Sequence, residues 1–560
     1  MDAGVKIGLE VHQQLDTKKL FCDCPSSMEE KTLLFEVRRK LRPVVGELGE
    51  VDRAAIFEFF RDRTFVYRVY EGEACLVELD EEPPHLPNPE ALELAIQAAL
   101  LFDLKIPSEI HVMRKLVLDG SAVTSFQRTM LVGYGRSEIE DGVFITELYL
   151  EEDAAKKEKE EGNVVYYSLS RLGIPLLEVD TTPTISSPEQ AKSIAKAIGL
   201  TLRSLKVKRG IGTIRQDVNI SIPGGARVEI KGWQDLRRLD KLVENEIRRQ
   251  KTLLLLKDEI GRVRSVLRRE GDKWYVEANI ARFLELELCK GKYLSEELED
   301  YVKVYGCSFE VKRREERAIF EISGRNAMEA ARTLKSRIDF LPLGIPPETR
   351  SPNPDATTSF SRPLPGSARM YPETDVPPIY IASEFLSRLK KSLPKNLYEL
   401  KLELESELPT ELVEQITSSK RFKLFLNLRQ RFPGLSKEVA ITLTKTVKEL
   451  ERAGYDVERI DEKTLIEIFA ALEERKIVKR AVEKILEEVL KGKDVKEALA
   501  SYRRLTGDEL RKAIKRLIQG KEGLDERKLL AFLLGELKYR ATPEDVEKEL
   551  THCLEDTTLS

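Results

Sequence analysis

A carboxylate and an imidazole stand two residues apart at Glu10 and His12, inside the alternating run Val5–Leu15. Side chains alternate across a strand with period two. Val5, Ile7, Leu9 and Val11 therefore share one side, and Lys6, Gly8, Glu10 and His12 share the other. An acid and an imidazole on one polar face is what a divalent cation site requires. His12 is one of only four histidines in 560 residues. The plain alternative is a strand face bathed in water.

The pattern recurs through the first half of the chain. Arg215, Asp217, Asn219 and Ser221 alternate with Ile214, Val218, Ile220 and Ile222, interrupted by Gln216. Glu178 and Asp180 alternate with Leu177 and Val179, and Glu229 and Lys231 flank Ile230. Thr146–Leu150 runs into Glu151-Glu152-Asp153. Strands with one apolar and one polar face belong to a mostly antiparallel sheet covered on one side. Its open face is expected to gather Glu10, His12, Glu152, Glu178, Asp217 and Glu229, with Arg215, Lys231 and Arg171 among them. Carboxylates with one imidazole suit a hard cation such as Mg²⁺ or Mn²⁺. Basic groups beside them suit phosphate oxygens.

The cysteines offer a second chemistry. Cys22 and Cys24 could join Cys75 in a zinc site, although a fourth ligand of the usual kind is missing and position 78 is Glu78. Structural zinc sites mostly use Cys and His, so buried thiols are the alternative reading. Six cysteines in a chain of this size do not form a disulfide framework.

Other chemistries are excluded. The chain has no Walker-type phosphate loop, no dinucleotide fingerprint and no Gly-x-Ser-x-Gly elbow. With so few His and Cys, a nucleophilic triad is hard to assemble, so the chain is not a glutaminase or protease on its own. No apolar run reaches the roughly 18 residues of a membrane helix, and no signal-peptide pattern opens the sequence. A cytoplasmic protein is expected. The net charge of −4 means that any nucleic-acid contact must use local patches. Candidates are Arg237, Arg238, Lys241, Arg248, Arg249 and Lys251, then Lys420, Arg421, Lys423, Arg429 and Arg431, and then Arg503, Arg504, Arg511, Lys512, Lys515 and Arg516. Each also fits the solvated face of a helix.

The elements that must hold these residues point to a multidomain α+β protein. Residues 1–270 mix strands and helices. Ser187 and Pro188 open a helix with an apolar stripe at Ala191, Ile194, Ala195, Ile198 and Leu202, and a second helix spans about 234–251. Residues 271–345 read as a small α+β insert. Residues 346–383, rich in Pro, Ser and Thr, lack helical periodicity and read as a loop with a defined path. They belong to a segment, 346–390, that returns to the first domain. From there the chain is helical, in two units: 391–491 and a tail, 492–560, divided where Gly492 and Asp494 interrupt the stripes.

Six motifs, in order, carry a family resemblance. They are Gly8-Leu9-Glu10-Val11-His12-Gln13-Gln14-Leu15-Asp16-Thr17 with Leu20-Phe21-Cys22; Leu150-Glu151-Glu152-Asp153-Ala154; Arg171-Leu172-Gly173-Ile174-Pro175-Leu176-Leu177-Glu178; Arg215-Gln216-Asp217-Val218-Asn219-Ile220-Ser221; Glu229-Ile230-Lys231-Gly232; and Tyr371-Pro372-Glu373-Thr374-Asp375-Val376-Pro377-Pro378. Together they resemble the B/E family of tRNA-dependent amidotransferase kinase subunits. Gln13-Gln14, Cys22-Asp23-Cys24-Pro25-Ser26 and the segment from Arg38 to Pro43 resemble the archaeal E branch more than the bacterial-type B branch, as does the presence of an insert. In that branch the insert is similar to an aspartyl-tRNA-synthetase domain. Here it is short and lacks that domain's motifs.

The resemblance implies a cradle-shaped catalytic domain followed by helical and tRNA-binding tail domains. It implies transfer of the γ-phosphoryl group of ATP to the glutamate carried by tRNA(Gln), then amidation by ammonia from an asparaginase-like D subunit in a heteromer. In that reading Glu10, His12, Glu152, Glu178 and Asp217 hold Mg²⁺, and Arg215, Lys231 and Arg171 meet phosphate charge. Two alternatives stand beside it: a B-type subunit of a three-protein complex acting on Glu- or Asp-tRNA, and a tRNA-binding scaffold without chemistry.

Overall fold

The alternating segments assemble into one large sheet. The computed structural model describes residues 4–26, 32–46, 49–366, 370–519 and 525–558. Its two compact units are residues 1–398 and 399–560. In the first unit ten strands of the described residues form the sheet. In chain order they are β1 Lys6–Gln14, β2 Val112–Leu116, β3 Phe126–Glu140, β4 Val143–Glu152, β5 Pro175–Thr181, β6 Ile214–Ser221, β7 Val228–Trp233, β8 Glu348–Pro352, β9 Thr358–Pro363 and β10 Met370–Pro372. They lie side by side in the order β9-β8-β7-β6-β1-β5-β4-β3-β2-β10. Every neighbouring pair is antiparallel except β7 and β8.

Helices cover one face of this sheet: α1 Pro89–Leu101 packs on β3 and β4, α2 Pro188–Leu202 on β1, and α3 Leu239–Ile260 on β6. The entry of α2 is the one its sequence announces. Ser187 Oγ accepts from the Gln190 amide and Pro188 occupies the first helical position. Such a cap is worth about 1 kcal/mol. Ala191, Ile194, Ala195, Ile198 and Leu202 are fully buried against Ile7, Leu9 and Val11 and their neighbours. Each large aliphatic side chain so buried contributes roughly 1.5–3 kcal/mol. The second helix runs further than periodicity suggests, to Ile260, and stops where Gly261 takes φ +62°.

The insert is a four-stranded antiparallel sheet, Ser265–Glu270, Lys273–Ala278, Arg317–Ser323 and Ser308–Arg314 in spatial order, with helices Leu294–Lys303 and Ala327–Phe340. The segment 346–383 is not a loop. It supplies β8, β9 and β10 and the short strand Ile379–Tyr380, while its residues 367–369 lie outside the described set. Apolar periodicity misses these strands because β8 buries Glu348, Thr349 and Arg350, β9 buries only Thr358 and Phe360, and β10 buries no side chain. Arg350 and Glu348 are buried with Arg249 of α3 and Glu246 and Glu297 in one ionic cluster. Glu297 accepts from Arg249 at 2.8 Å and from Arg350 at 2.7 and 2.9 Å. This cluster joins α3, the insert and the returning strands.

The second unit is helical. Residues near its end pack Gly507–Ile518, Glu526–Glu536 and Pro543–Thr558 around Leu510, Ile514, Leu533, Val546 and Leu550. Asp494 caps Val495–Ser501 at the point where the apolar stripe breaks. No helix among the described residues is long and apolar enough to cross a membrane.

Candidate active site

Register on the large sheet brings the polar faces into line. Glu10 pairs with Asp217 on one side and Asp180 on the other, and His12 pairs with Arg215 and Glu178. One face of the central strands is therefore a grid of titratable groups, while the other is buried under α1–α3. A lone carboxylate at each position follows from alternation, and their proximity follows from strand spacing of roughly 5 Å.

Two ligand groups form within this grid. His12, Glu151 and Glu178 each offer an atom within 4.8 Å of the others, and so do Glu10, Asp217 and Glu229. His12 Nε2 lies 2.9 Å from Glu178 Oε2 and 3.8 Å from Glu151 Oε1. Lys231 Nζ donates to Asp217 at 2.8 Å and stands 3.1 Å from Glu229. The amide of Gly232 also donates to Asp217, at 2.7 Å. The pairing of β6 with β7 shifts between Gln216 and Val218, with the extra residue on β7, and this bulge and φ +83° at Gly232 turn that amide inward. Asn219 Nδ2 holds Glu10 at 2.8 Å.

The electrostatics are those of crowded acids. Burial, then the neighbouring Glu178 carboxylate, pushes Asp180 well above the ordinary range, and burial likewise raises Glu151 and Glu10. Burial would raise Glu178 too, but Lys115 and then His12 outweigh it and hold it well below. Burial also opposes ionisation of Asp217, yet Lys231, His12 and Arg215 draw it down to about 2. Burial pulls His12 down, and the Glu178 carboxylate more than offsets it. Lys231 is raised because Asp217, Glu229 and Glu10 outweigh its desolvation. Like-charge crowding of this kind is relieved by a bound cation. The donor set fits one of the hard type, with carboxylate oxygens and a single imidazole. His12 Nδ1 and Asp180 Oδ1 are buried without a hydrogen-bond partner among the described residues, as groups that meet a ligand often are.

The expected residues divide. Glu10, His12, Glu178, Asp217, Glu229 and Lys231 share the open face. Glu152 does not belong to either ligand group; the acid that meets His12 is Glu151. Along β4 the even positions Leu148, Leu150 and Glu152 share one phase and Glu147, Tyr149 and Glu151 the other. Glu152 accepts from the Arg128 amide at 3.0 Å and faces its guanidinium, which also reaches Glu373 at 2.7 Å. Arg215, opposite His12 on the same face, and Arg171 converge on the fully buried Asp153, at 3.0 and 3.6 Å. Arg171 is held further by the Ala154 and Ala155 carbonyls. Burial works against ionisation of Asp153, and the two guanidiniums overcome it. One basic group went unread in the sequence: Lys115 of β2, whose Nζ lies 3.3 Å from Glu151 and 3.9 Å from Glu178. A lone lysine in a short strand carries no motif, and only the pairing of β2 with β3 delivers it.

The cysteines also converge. Cys22, Cys24, Cys75 and Glu78 place their ligand atoms within 4.8 Å of one another. Cys22 Sγ lies 2.8 Å and Cys75 Sγ 3.2 Å from Glu78 carboxylate oxygens, and the buried Lys19 ammonium stands 3.6 Å from it. The hydrogen bond with Cys22 pulls the Cys24 thiol down to about 7. Three sulfurs and one carboxylate suit a thiophilic cation such as zinc.

Residues 5–387 match the family model described as the GatB/GatE catalytic domain, and residues 424–554 match the GatB domain. Relatives named as E subunits of glutamyl-tRNA(Gln) amidotransferase include that of Methanocaldococcus jannaschii, 39% identical over 95% of each chain. The Pyrobaculum neutrophilum protein is 37% identical over 98% of each, and that of Saccharolobus islandicus 38% identical over 94% of this chain and 92% of its own. The large sheet, its acid grid and the returning strands β8–β10 all fall within the first match, and on these grounds the chain belongs to the GatB/GatE family.

Proposed function

We propose that the chain is the E subunit of a glutamyl-tRNA(Gln) amidotransferase, which activates glutamate on tRNA(Gln) with ATP and converts it to glutamine. The observation that carries this reading is the meeting of two carboxylate groups with flanking lysines on one open sheet face. In the first step a side-chain carboxylate oxygen of the tRNA-borne glutamate attacks the γ-phosphorus of ATP and the bond to ADP breaks. In the second, ammonia attacks the activated acyl carbon, the C–O bond breaks, and phosphate departs with its electron pair.

Phosphoryl transfer needs positioning and charge neutralisation more than a protein nucleophile. Mg²⁺ held by His12, Glu151 and Glu178, or by Glu10, Asp217 and Glu229, would supply that neutralisation at the phosphate oxygens. Asn219 positions Glu10, and the Gly232 amide with Lys231 positions Asp217. Arg215 and Arg171 keep Asp153 ionised beside the grid, so their role is to fix that corner of the site. Ammonia comes from a separate asparaginase-like D subunit in the cytoplasm. The Cys22, Cys24, Cys75 and Glu78 group would hold a structural zinc. The helical unit contacts the tRNA backbone. There Arg503, Arg504 and Arg511 are engaged by Glu509, Asp545 and Glu549, while Lys512, Lys515 and Arg516 lie exposed on Gly507–Ile518.

The test is phosphate release from ATP with Glu-tRNA(Gln), ammonium and Mg²⁺. Release that requires the charged tRNA, and a large loss in Glu10→Ala, are expected. An unchanged rate in that variant would remove the site from the reaction.

A further inference from the structure

Lys115 occupies the position that a cation would take. Its ammonium sits 3.3 Å from Glu151 Oε2 and 3.9 Å from Glu178 Oε2, the two acids that His12 also faces. Gln127 holds the other Glu151 oxygen at 3.0 Å. The Lys115 side chain is 18% exposed while those of Glu151 and Glu178 are 2% and 11% exposed, so Lys115 is the most exposed of the three. On the opposite flank Lys231 stands in the same relation to Asp217 and Glu229. Each acid group thus carries its own captive ammonium.

We infer that Lys115 is a displaceable counter-ion: a divalent cation entering at His12, Glu151 and Glu178 expels its ammonium, which then pairs with the phosphate chain of the nucleotide. The inference rests on the proposed ATP-dependent reaction and names a positioning residue for it. The physical argument is one of exclusion. An ammonium sharing carboxylate oxygens with a divalent cation would lie within a few ångströms of it, and like charges so close in a buried setting repel strongly. Lysine is a point charge on a flexible four-carbon stem, so it can swing aside where an arginine fork would be held. Once released it needs an anion, and the anion that arrives with the cation is the nucleotide phosphate. Metal and nucleotide binding are therefore coupled through one side chain, and by linkage each strengthens the other.

The experiment measures Mn²⁺ binding to the full chain by loss of the free-ion EPR signal, with and without a non-hydrolysable ATP analogue. Wild type, Lys115→Met, Lys115→Arg and Glu151→Gln are compared, each checked for an intact thermal transition. In wild type the analogue should tighten Mn²⁺ by about 10-fold, within the usual range of coupling between sites. Lys115→Met should bind Mn²⁺ alone about 10-fold more tightly than wild type, with the benefit of the analogue reduced to about threefold or less. Lys115→Arg should resemble wild type in binding Mn²⁺ alone weakly, and Glu151→Gln should lose the Mn²⁺ that Lys115→Met tightens. Mn²⁺ affinity in Lys115→Met equal to or below wild type would overturn the exchange while leaving the proposed reaction standing. Absence of Mn²⁺ binding in every protein would overturn the cation site itself and the exchange with it.

Discussion

Glu151 and Glu152 are neighbours in sequence, and the site predicts opposite fates for them. Glu151→Gln keeps the shape but removes a carboxylate that stands 3.8 Å from His12 and 3.3 Å from Lys115. Loss of a partner that merely orients a metal ligand costs 10–100-fold in metal affinity, and Glu151 stands among the proposed ligands themselves. At least about 100-fold is therefore expected in the Mg²⁺ half-saturation of ATP turnover, or about 2.7 kcal/mol at 1.36 kcal/mol per decade. Glu152→Gln acts elsewhere. Its amide oxygen still accepts from the Arg128 amide, and Arg128 keeps Glu373 at 2.7 Å. The cost is one weakened buried hydrogen-bonded charge, about 1–3 kcal/mol of stability. That lowers the melting temperature of a unit of this size by a few degrees. The assay is a Mg²⁺ titration of Glu-tRNA(Gln)-dependent phosphate release, with a thermal melt of each variant. If Glu152→Gln weakened Mg²⁺ as much as Glu151→Gln, or if Glu151→Gln left the titration unmoved, the assignment of the ligands by strand phase would be refuted.

Other outcomes follow from the rest of the chain. Glu297→Gln breaks the buried cluster of Arg249 and Arg350 and should cost about 3–5 kcal/mol, seen calorimetrically as a drop of about 4–6 °C. Glu297 is held below the ordinary carboxylate range, because the Arg350 and Arg249 guanidiniums outweigh burial. A depressed folded pKa gives stability that is complete above the unfolded value of about 4.3 and is lost as pH falls below it. The gap between wild type and Glu297→Gln should thus narrow by about 1.4 kcal/mol per pH unit below that value, and a gap constant from pH 7 to 3 would contradict the pairing. Metal analysis of the purified chain should find one zinc per molecule, lost in Cys22→Ser; zinc retained there would remove the Cys22, Cys24, Cys75 and Glu78 assignment. Deleting residues 492–560 should raise the KM for tRNA and flatten its salt dependence while sparing weak ammonia-dependent turnover. Unchanged tRNA affinity would place the contact elsewhere.

Much of the site was legible because alternation is a local property. Glu10, His12, Glu178, Asp217, Glu229 and Lys231 each declare their face by the apolar residues beside them, and antiparallel pairing does the rest. Glu152 was misread because three acids in a row carry no phase of their own; only counting back to Leu148 and Leu150 assigns the open face to Glu151. Lys115 was invisible because its role depends on β2 pairing with β3, a contact between segments that no spacing records. Strands β8–β10 were hidden for a different reason. The buried side chains of β8 are Glu348, Thr349 and Arg350, with ion pairs to α3 and the insert, β9 buries only Thr358 and Phe360, and β10 buries none, so a hydrophobic pattern had little to register. The tail's basic residues looked uniform in sequence, and the fold separates them by exposure: Arg504 and Arg511 are half-buried against Asp545 and Glu549, while Arg503, Lys512, Lys515 and Arg516 lie exposed.

The central claim is that the acid grid serves direct transfer of phosphorus to the glutamate side chain. It is tested most directly with Glu-tRNA(Gln) labelled with ¹⁸O in the side-chain carboxylate, supplied with ATP, Mg²⁺ and ammonium. The account predicts that each phosphate released carries one ¹⁸O atom from the glutamate, and that Glu10→Ala abolishes the transfer. Phosphate released without label while glutamine is formed would contradict it.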